Sequence, residues 1–126
     1  MRSDQSLRIV IRLYSGDEIA MGPGKADLLE AIRAQGSISA AGRAMGMSYR
    51  RAWLLVDTMN RCWQQPLVAT APGSAHGGGA RLTEFGENIL AHYRGLQAQL
   101  EHAATCPDHA ALAQAIRAEP KPSQKA

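Results

Sequence analysis

Ser37-Ile38-Ser39-Ala40-Ala41-Gly42-Arg43-Ala44-Met45-Gly46-Met47-Ser48-Tyr49-Arg50-Arg51-Ala52-Trp53 is the stretch on which the fold turns. Ser37 or Ser39 can cap a helix, because a serine oxygen accepts a bond from one of the first free backbone N–H groups. The helix that follows runs to about Met45 and is built from Ala40, Ala41, Gly42 and Ala44. Side chains this small let a second helix cross closely. Gly46 suits the sharp turn between them, since glycine enters left-handed backbone at little cost. Ser48 is placed to cap the second helix. In it Tyr49, Ala52, Trp53, Val56, Met59, Asn60 and Trp63 recur at steps of three and four, closing before Pro66. That is an amphipathic helix, and its spacing puts Trp53 and Trp63 in the core. Two such helices around a glycine turn form a helix-turn-helix. Arg50 and Arg51 lie off the apolar face, near the end of the helix that would enter a major groove. An arginine there can bridge the two acceptors of guanine or grip a phosphate.

Upstream, Leu7, Ile9, Ile11 and Leu13 face one way and Arg8, Val10, Arg12 and Tyr14 the other, the pattern of a strand buried on one face. Ser15-Gly16-Asp17-Glu18 is turn chemistry, and Ile19-Ala20-Met21 can return as a second strand. Gly22-Pro23-Gly24 stops it. Lys25 to Ala34 reads as a helix with Leu28, Leu29 and Ile32 on one face, ended by Gly36 as a left-handed cap.

Downstream, Leu67 to Thr70 and Ala80 to Leu82 are short strands joined by a glycine-rich loop, the natural wing of a winged helix. Gly77, Gly78 and Gly79 allow close approach of the wing backbone to phosphate or a minor groove. His76 and Arg81 flank them and could contact the DNA backbone. No Gly-Lys-Ser/Thr follows, so the loop is not a phosphate-binding P-loop. Thr83 then caps a long helix with Glu84 and Glu87 in its first turns. Its apolar positions Leu82, Phe85, Ile89, Tyr93, Leu96, Leu100 and Ala103 form a nearly heptad seam, expected to join two copies of the chain. Pro107 stops this helix. Asp108 to Ala118 can form another, and Glu119 to Ala126 has the composition of a disordered tail. The expected fold is mainly α with small β: a winged helix-turn-helix with a long C-terminal dimerisation helix over residues 1–106, followed by residues 107–126.

The chain of 126 residues is 45% apolar and carries a formal charge of +3, which permits a nucleic-acid partner without requiring one. Two cysteines, Cys62 and Cys106, make no disulfide framework, and Cys62 reads as a small buried residue. Arg2, Asp4, Arg8 and Arg12 interrupt the N-terminus, unlike a signal peptide. No apolar run reaches the roughly 20 residues that span a bilayer. A cytoplasmic location and no membrane partner are expected. His102, Cys106 and His109 have spacings that suit a metal on one helix face. Pro107 interrupts that face, so they read as surface residues, and no metal or cofactor is expected. No Ser/His/Asp or Cys/His constellation appears, so the chain does not read as an enzyme.

Gly22-Pro23-Gly24-Lys25-Ala26-Asp27-Leu28-Leu29-Glu30, Gly36-Ser37-Ile38-Ser39-Ala40-Ala41, Met47-Ser48-Tyr49-Arg50-Arg51-Ala52-Trp53 and Gly77-Gly78-Gly79-Ala80-Arg81-Leu82-Thr83 together resemble the N-terminal DNA-binding domain of the ModE family of molybdate-responsive regulators. That domain is related to the LysR-type winged helix. The resemblance covers roughly Leu7 to Ala104. It implies that the Thr83 helix dimerises and that Ser48, Tyr49, Arg50 and Arg51 open the recognition helix. With Ser37, Ser39, His76, Gly77, Gly78, Gly79 and Arg81 they form the expected DNA-contacting set. The family continues into a molybdate-binding region that this sequence does not contain, so no molybdate is expected to bind this chain alone. The expected function is sequence-specific binding of double-stranded DNA by a homodimer that regulates transcription. The alternatives are a winged-helix scaffold whose Thr83 helix pairs with another protein, and a regulator that responds to metal through His102, Cys106 and His109.

Overall fold

The computed structural model describes residues 8–71 and 79–125. Its elements in order are β1 (Leu13–Ser15), β2 (Glu18–Met21), α1 (Pro23–Gln35), α2 (Ile38–Ala44), α3 (Tyr49–Cys62), β3 (Val68–Ala71), β4 (Gly79–Leu82), α4 (Glu84–Ala103) and α5 (Pro107–Ala115). This is the winged helix-turn-helix order, mainly α with two small antiparallel sheets. Val10–Gly95 form one compact unit.

The strand expected from Leu7 onward is much shorter. Leu13 pairs with Met21 and Ser15 with Glu18, and residues 8–12 carry no ladder. The partner runs out: β2 ends at Met21, and Pro23 is already the first residue of α1. Proline is favoured there because the first N–H groups of a helix need no internal acceptor. The backbone beyond β1 is held differently, by the Tyr93 hydroxyl donating to the Ile11 carbonyl at 2.8 Å.

The helix-turn-helix forms as its local chemistry dictates. Gly36 closes α1 at φ 78°, donating to Ile32 O. Ser37, rather than Ser39, caps α2, its Oγ accepting from Ala40 N at 3.1 Å. Gly46 takes the turn at φ 73°. Ser48 caps α3 by accepting from Arg51 N at 3.1 Å. A Cβ on Gly42 would lie 3.1 Å from the Ala52 Cβ, so the close crossing of the two helices depends on this glycine.

That crossing explains a departure from the periodic reading of α3. Ala52, Val56 and Met59 are buried, but Tyr49 is 54% exposed and Trp53 42%. With α2 against Ala52, the buried edge of the first turns of α3 is one alanine wide, and the two large rings stay outside it. Trp63 is half-buried, its indole N–H donating to Ala20 O at 3.0 Å. Met21, Leu28, Leu29, Ile32, Val56, Met59 and Leu67 are the large, fully buried side chains of the core.

Asn60 joins α3 to the first wing strand. Its Oδ1 accepts from Leu67 N at 2.8 Å and from Val68 N at 3.1 Å. Its Nδ2 donates to Val68 O at 3.1 Å. Thr83 works similarly before α4: its hydroxyl donates to Pro66 O at 2.7 Å and accepts from Gly86 N at 2.8 Å. Of the seam expected on α4, Leu82 and Tyr93 are buried in the core of their own chain, and Phe85 and Ile89 pack against it half-buried. Leu82 is the last residue of β4 and not a position on α4, and the other three face inward where α4 lies against α1, to which Glu87 and Arg94 bond. Leu96 is 42% exposed and Leu100 half-buried. α5 begins at Pro107, and none of its residues is buried. No helix of the described residues is long and apolar enough to cross a membrane.

Candidate nucleic-acid interface

The capped start of α3 presents Ser48, Tyr49, Arg50 and Arg51 to solvent. The cap fixes their direction: Ser48 holds the Arg51 amide, and Ala52 and Val56 hold the opposite face in the core. Arg50 and Leu54, four residues apart, occupy the line most nearly opposite that buried edge. Leu54 is 52% exposed. Asp57 and Arg61 continue the line and are bonded to each other at 3.0 Å.

Ion pairs divide the arginines into two groups. Arg33 meets Glu87 at 2.6 Å, Arg61 meets Asp57, and Arg94 meets Asp27 at 2.8 Å and Glu30 at 3.0 Å. Arg8, Arg12, Arg43, Arg50, Arg51, Arg81 and Arg117 are exposed and have no ion pair among the described residues. Lys25 of α1 lies within electrostatic reach of Arg51. Burial pushes its ammonium below the usual lysine range; Arg51 pushes the same way, and Cys62 and Glu18 oppose them.

The wing base is tied to the helix-turn-helix by the Ala80 N–H, which donates to Gly36 O at 2.8 Å. Gly36 directly precedes the Ser37 cap, so β4 and the start of α2 are adjacent. Along β4, Ala80 and Leu82 turn inward and Arg81 outward, opposite Ala69 of β3. A cavity of about 300 Å³ opens between Gly36, Thr70, Ala71 and Arg81. Ser37 and Ser39 are half-buried beside it in sequence, and Gly79 is exposed as the first residue of β4. His76, Gly77 and Gly78 lie outside the described residues.

The helix break separates the three residues considered as metal ligands. His102 is on α4, Cys106 precedes α5, and His109 is on α5. Among the described residues, no three histidine, cysteine or acidic side chains converge. Cys62 is half-buried rather than fully enclosed. Sequence reasoning missed Arg43, Trp53 and Leu54 on the exposed surface, although a helical wheel of α3 already places Leu54 beside Arg50.

No family model matches the chain. It is similar to the molybdenum-pterin-binding protein MopA of Rhodobacter capsulatus, 39% identical over 101 residues, which are 80% of this chain and 38% of that protein. It is 40% identical over 84 residues to the molybdenum transport protein ModE of Azotobacter vinelandii, 67% of this chain and 31% of that protein. It is 34% identical over 96 residues to the DNA-binding transcriptional dual regulator ModE of Escherichia coli (strain K12), 76% of this chain and 36% of that protein. The matched stretch thus covers most of this chain and less than two fifths of each of these relatives.

Proposed function

We propose that this chain, a ModE-like winged helix-turn-helix domain by kinship and by fold, binds specific double-stranded DNA as a homodimer and regulates transcription. The observation that carries the reading is the pair Arg50 and Arg51: exposed, free of ion pairs among the described residues, and aimed outward from a capped helix whose other face is fixed in the core. Arg50 reads base edges. Arg81, on the strand tethered to Gly36, grips phosphate beside it, with Ser37, Ser39 and the wing glycines supplying further backbone contacts. Two adjacent exposed arginines without ion pairs among the described residues favour a polyanionic partner over a scaffold role.

The homodimer forms through α4, where Leu96 and Leu100 are the seam positions left outside the core of residues 10–95. Two copies then present two α3 helices to successive major grooves. The relatives' names tie them to molybdenum, and genes concerned with molybdenum are the targets this kinship favours. Such a protein acts in the cytoplasm, and no catalytic step is assigned to it. We place no molybdate site in this chain.

The test is titration of wild type, Arg50→Ala, Arg51→Ala and Arg81→Ala against a selected duplex and a scrambled one at several salt concentrations. Loss of Arg50 or Arg51 removes on the order of 1–3 kcal/mol from specific binding and less from non-specific binding. Loss of Arg81 weakens both alike and lowers the salt slope by about one. If none of the three variants loses affinity while remaining folded, the DNA-binding reading is wrong.

A further inference from the structure

We infer that Leu54 and Trp53 read thymine in the operator through the C5 methyl group, so that each half-site places thymine next to the guanine bridged by Arg50. The inference rests on the DNA-binding reading above and adds the chemical identity of a base. An exposed leucine alone needs no explanation. This one stands four residues beyond Arg50 on the line of α3 that points directly away from the core. Trp53, 42% exposed and three residues beyond Arg50, lies about 100° round the helix from Leu54, on the flank of the outward surface. Two large apolar side chains thus sit among uncompensated arginines, where any protein partner would have to neutralise those charges. DNA neutralises them with phosphate.

Within a major groove, one group offers an apolar side chain a matching surface: the methyl group of thymine. The acidic residue next along the line sets how far the base-facing patch extends. Asp57, locked to Arg61, would repel phosphate and offers no donor to a base. Base reading is confined to the first two turns of α3, where Arg50 supplies the donors and Leu54 and Trp53 the apolar surface. Burying one methyl group against them strengthens binding by about threefold to fivefold.

The experiment uses the full chain. A duplex is selected by the wild-type protein from a randomised pool, and each thymidine in it is replaced singly by deoxyuridine, which lacks the methyl group. Wild type should bind about threefold to fivefold more weakly at one or two positions adjacent to a guanine that Arg50→Ala no longer distinguishes. Leu54→Ser should bind the thymidine and deoxyuridine duplexes equally at that position, and Trp53→Ala should lose the response at the neighbouring one. Both side chains are exposed, and circular dichroism confirms that the variants fold. The inference is overturned if no deoxyuridine position weakens wild type, or if Leu54→Ser and Trp53→Ala retain the same losses. Failure to select any duplex, with binding indifferent to salt, would overturn the DNA-binding reading as well, and is distinguishable because no thymidine duplex then binds.

Discussion

Replacing Asn60 with alanine removes three hydrogen bonds at once and leaves their backbone partners behind. Leu67 and Val68, whose N–H groups bond to Oδ1, are 0% and 3% exposed. The Val68 carbonyl loses the Nδ2 donor as well. Each bond contributes a net of about 0.5–1.5 kcal/mol, and each buried group left unsatisfied costs about 1–3 kcal/mol. Asn60 itself is half-buried, so water replaces part of the loss. The expected destabilisation is about 2–4 kcal/mol, a large share of the roughly 5–15 kcal/mol typical of a domain. Urea unfolding followed by far-ultraviolet circular dichroism measures it. Hydrogen exchange should show the Leu67 and Val68 amides losing protection before the rest of the core. Asn60→Asp keeps both acceptor bonds but sets a carboxylate against the Val68 carbonyl. Its deficit should shrink on acidification, because the protonated acid can donate where the amide did. A loss below about 0.5 kcal/mol for Asn60→Ala, the range of an ordinary surface substitution, would refute the clamp.

Gly86→Ala drives a Cβ into the Leu67 carbonyl and should cost more than about 3 kcal/mol, while Gly95→Ala on the same helix meets nothing within 4 Å and should gain about 0.5–1 kcal/mol in thermal unfolding. Replacing Leu96 and Leu100 together with glutamate should give monomers in sedimentation; a wild type already monomeric at micromolar concentration would remove the homodimer. Burial raises the Tyr93 phenol above its reference value of 10.0, against the charges of Arg94 and Arg12, so folding favours the protonated ring. Its stabilisation is fully present below pH 10 and is lost as pH climbs through the raised value, and Tyr93→Phe should flatten that alkaline slope along with removing the bond to Ile11.

What could be read in the sequence is what local chemistry decides. The caps at Ser37 and Ser48 and the left-handed turns at Gly36 and Gly46 each follow from one or two residues, and each stands where expected. Periodicity says which side of a helix is apolar, but not how wide the neighbour covering it is. So Tyr49 and Trp53 look like core until α2 is seen to bury no more than Ala52 at that level. The same blindness affects α4, where Tyr93 continues the seam of Leu96 and Leu100 in sequence yet is buried in the chain's own core, while Leu82 belongs to β4. The alternation from Leu7 to Tyr14 is a true strand pattern, but a ladder needs a partner, and Pro23 ends the partner first. The periodicity of α3 includes Asn60 but does not tell its role, which is to complete backbone bonds seven and eight residues away.

The modest net charge of +3 understates the field on the proposed DNA-binding face, because the acids are not spread evenly. Asp27, Glu30, Asp57 and Glu87 are spent on Arg33, Arg61 and Arg94, pairs that sit among exposed or half-exposed side chains and add little stability individually. Their larger effect is on where positive charge remains. Of the arginines left without an ion pair among the described residues, Arg50 and Arg51 lie in the first turn of α3, whose N-terminal end adds its own positive pole. The tether from Ala80 to Gly36 and the Asn60 clamp keep the wing strands in fixed register with that helix. On the proposed function, a phosphate gripped at Arg81 would set the position of Arg50 over the bases. In this arrangement backbone attraction and base reading are held by one set of hydrogen bonds, and loosening the clamp should blur sequence discrimination before it abolishes attraction to DNA.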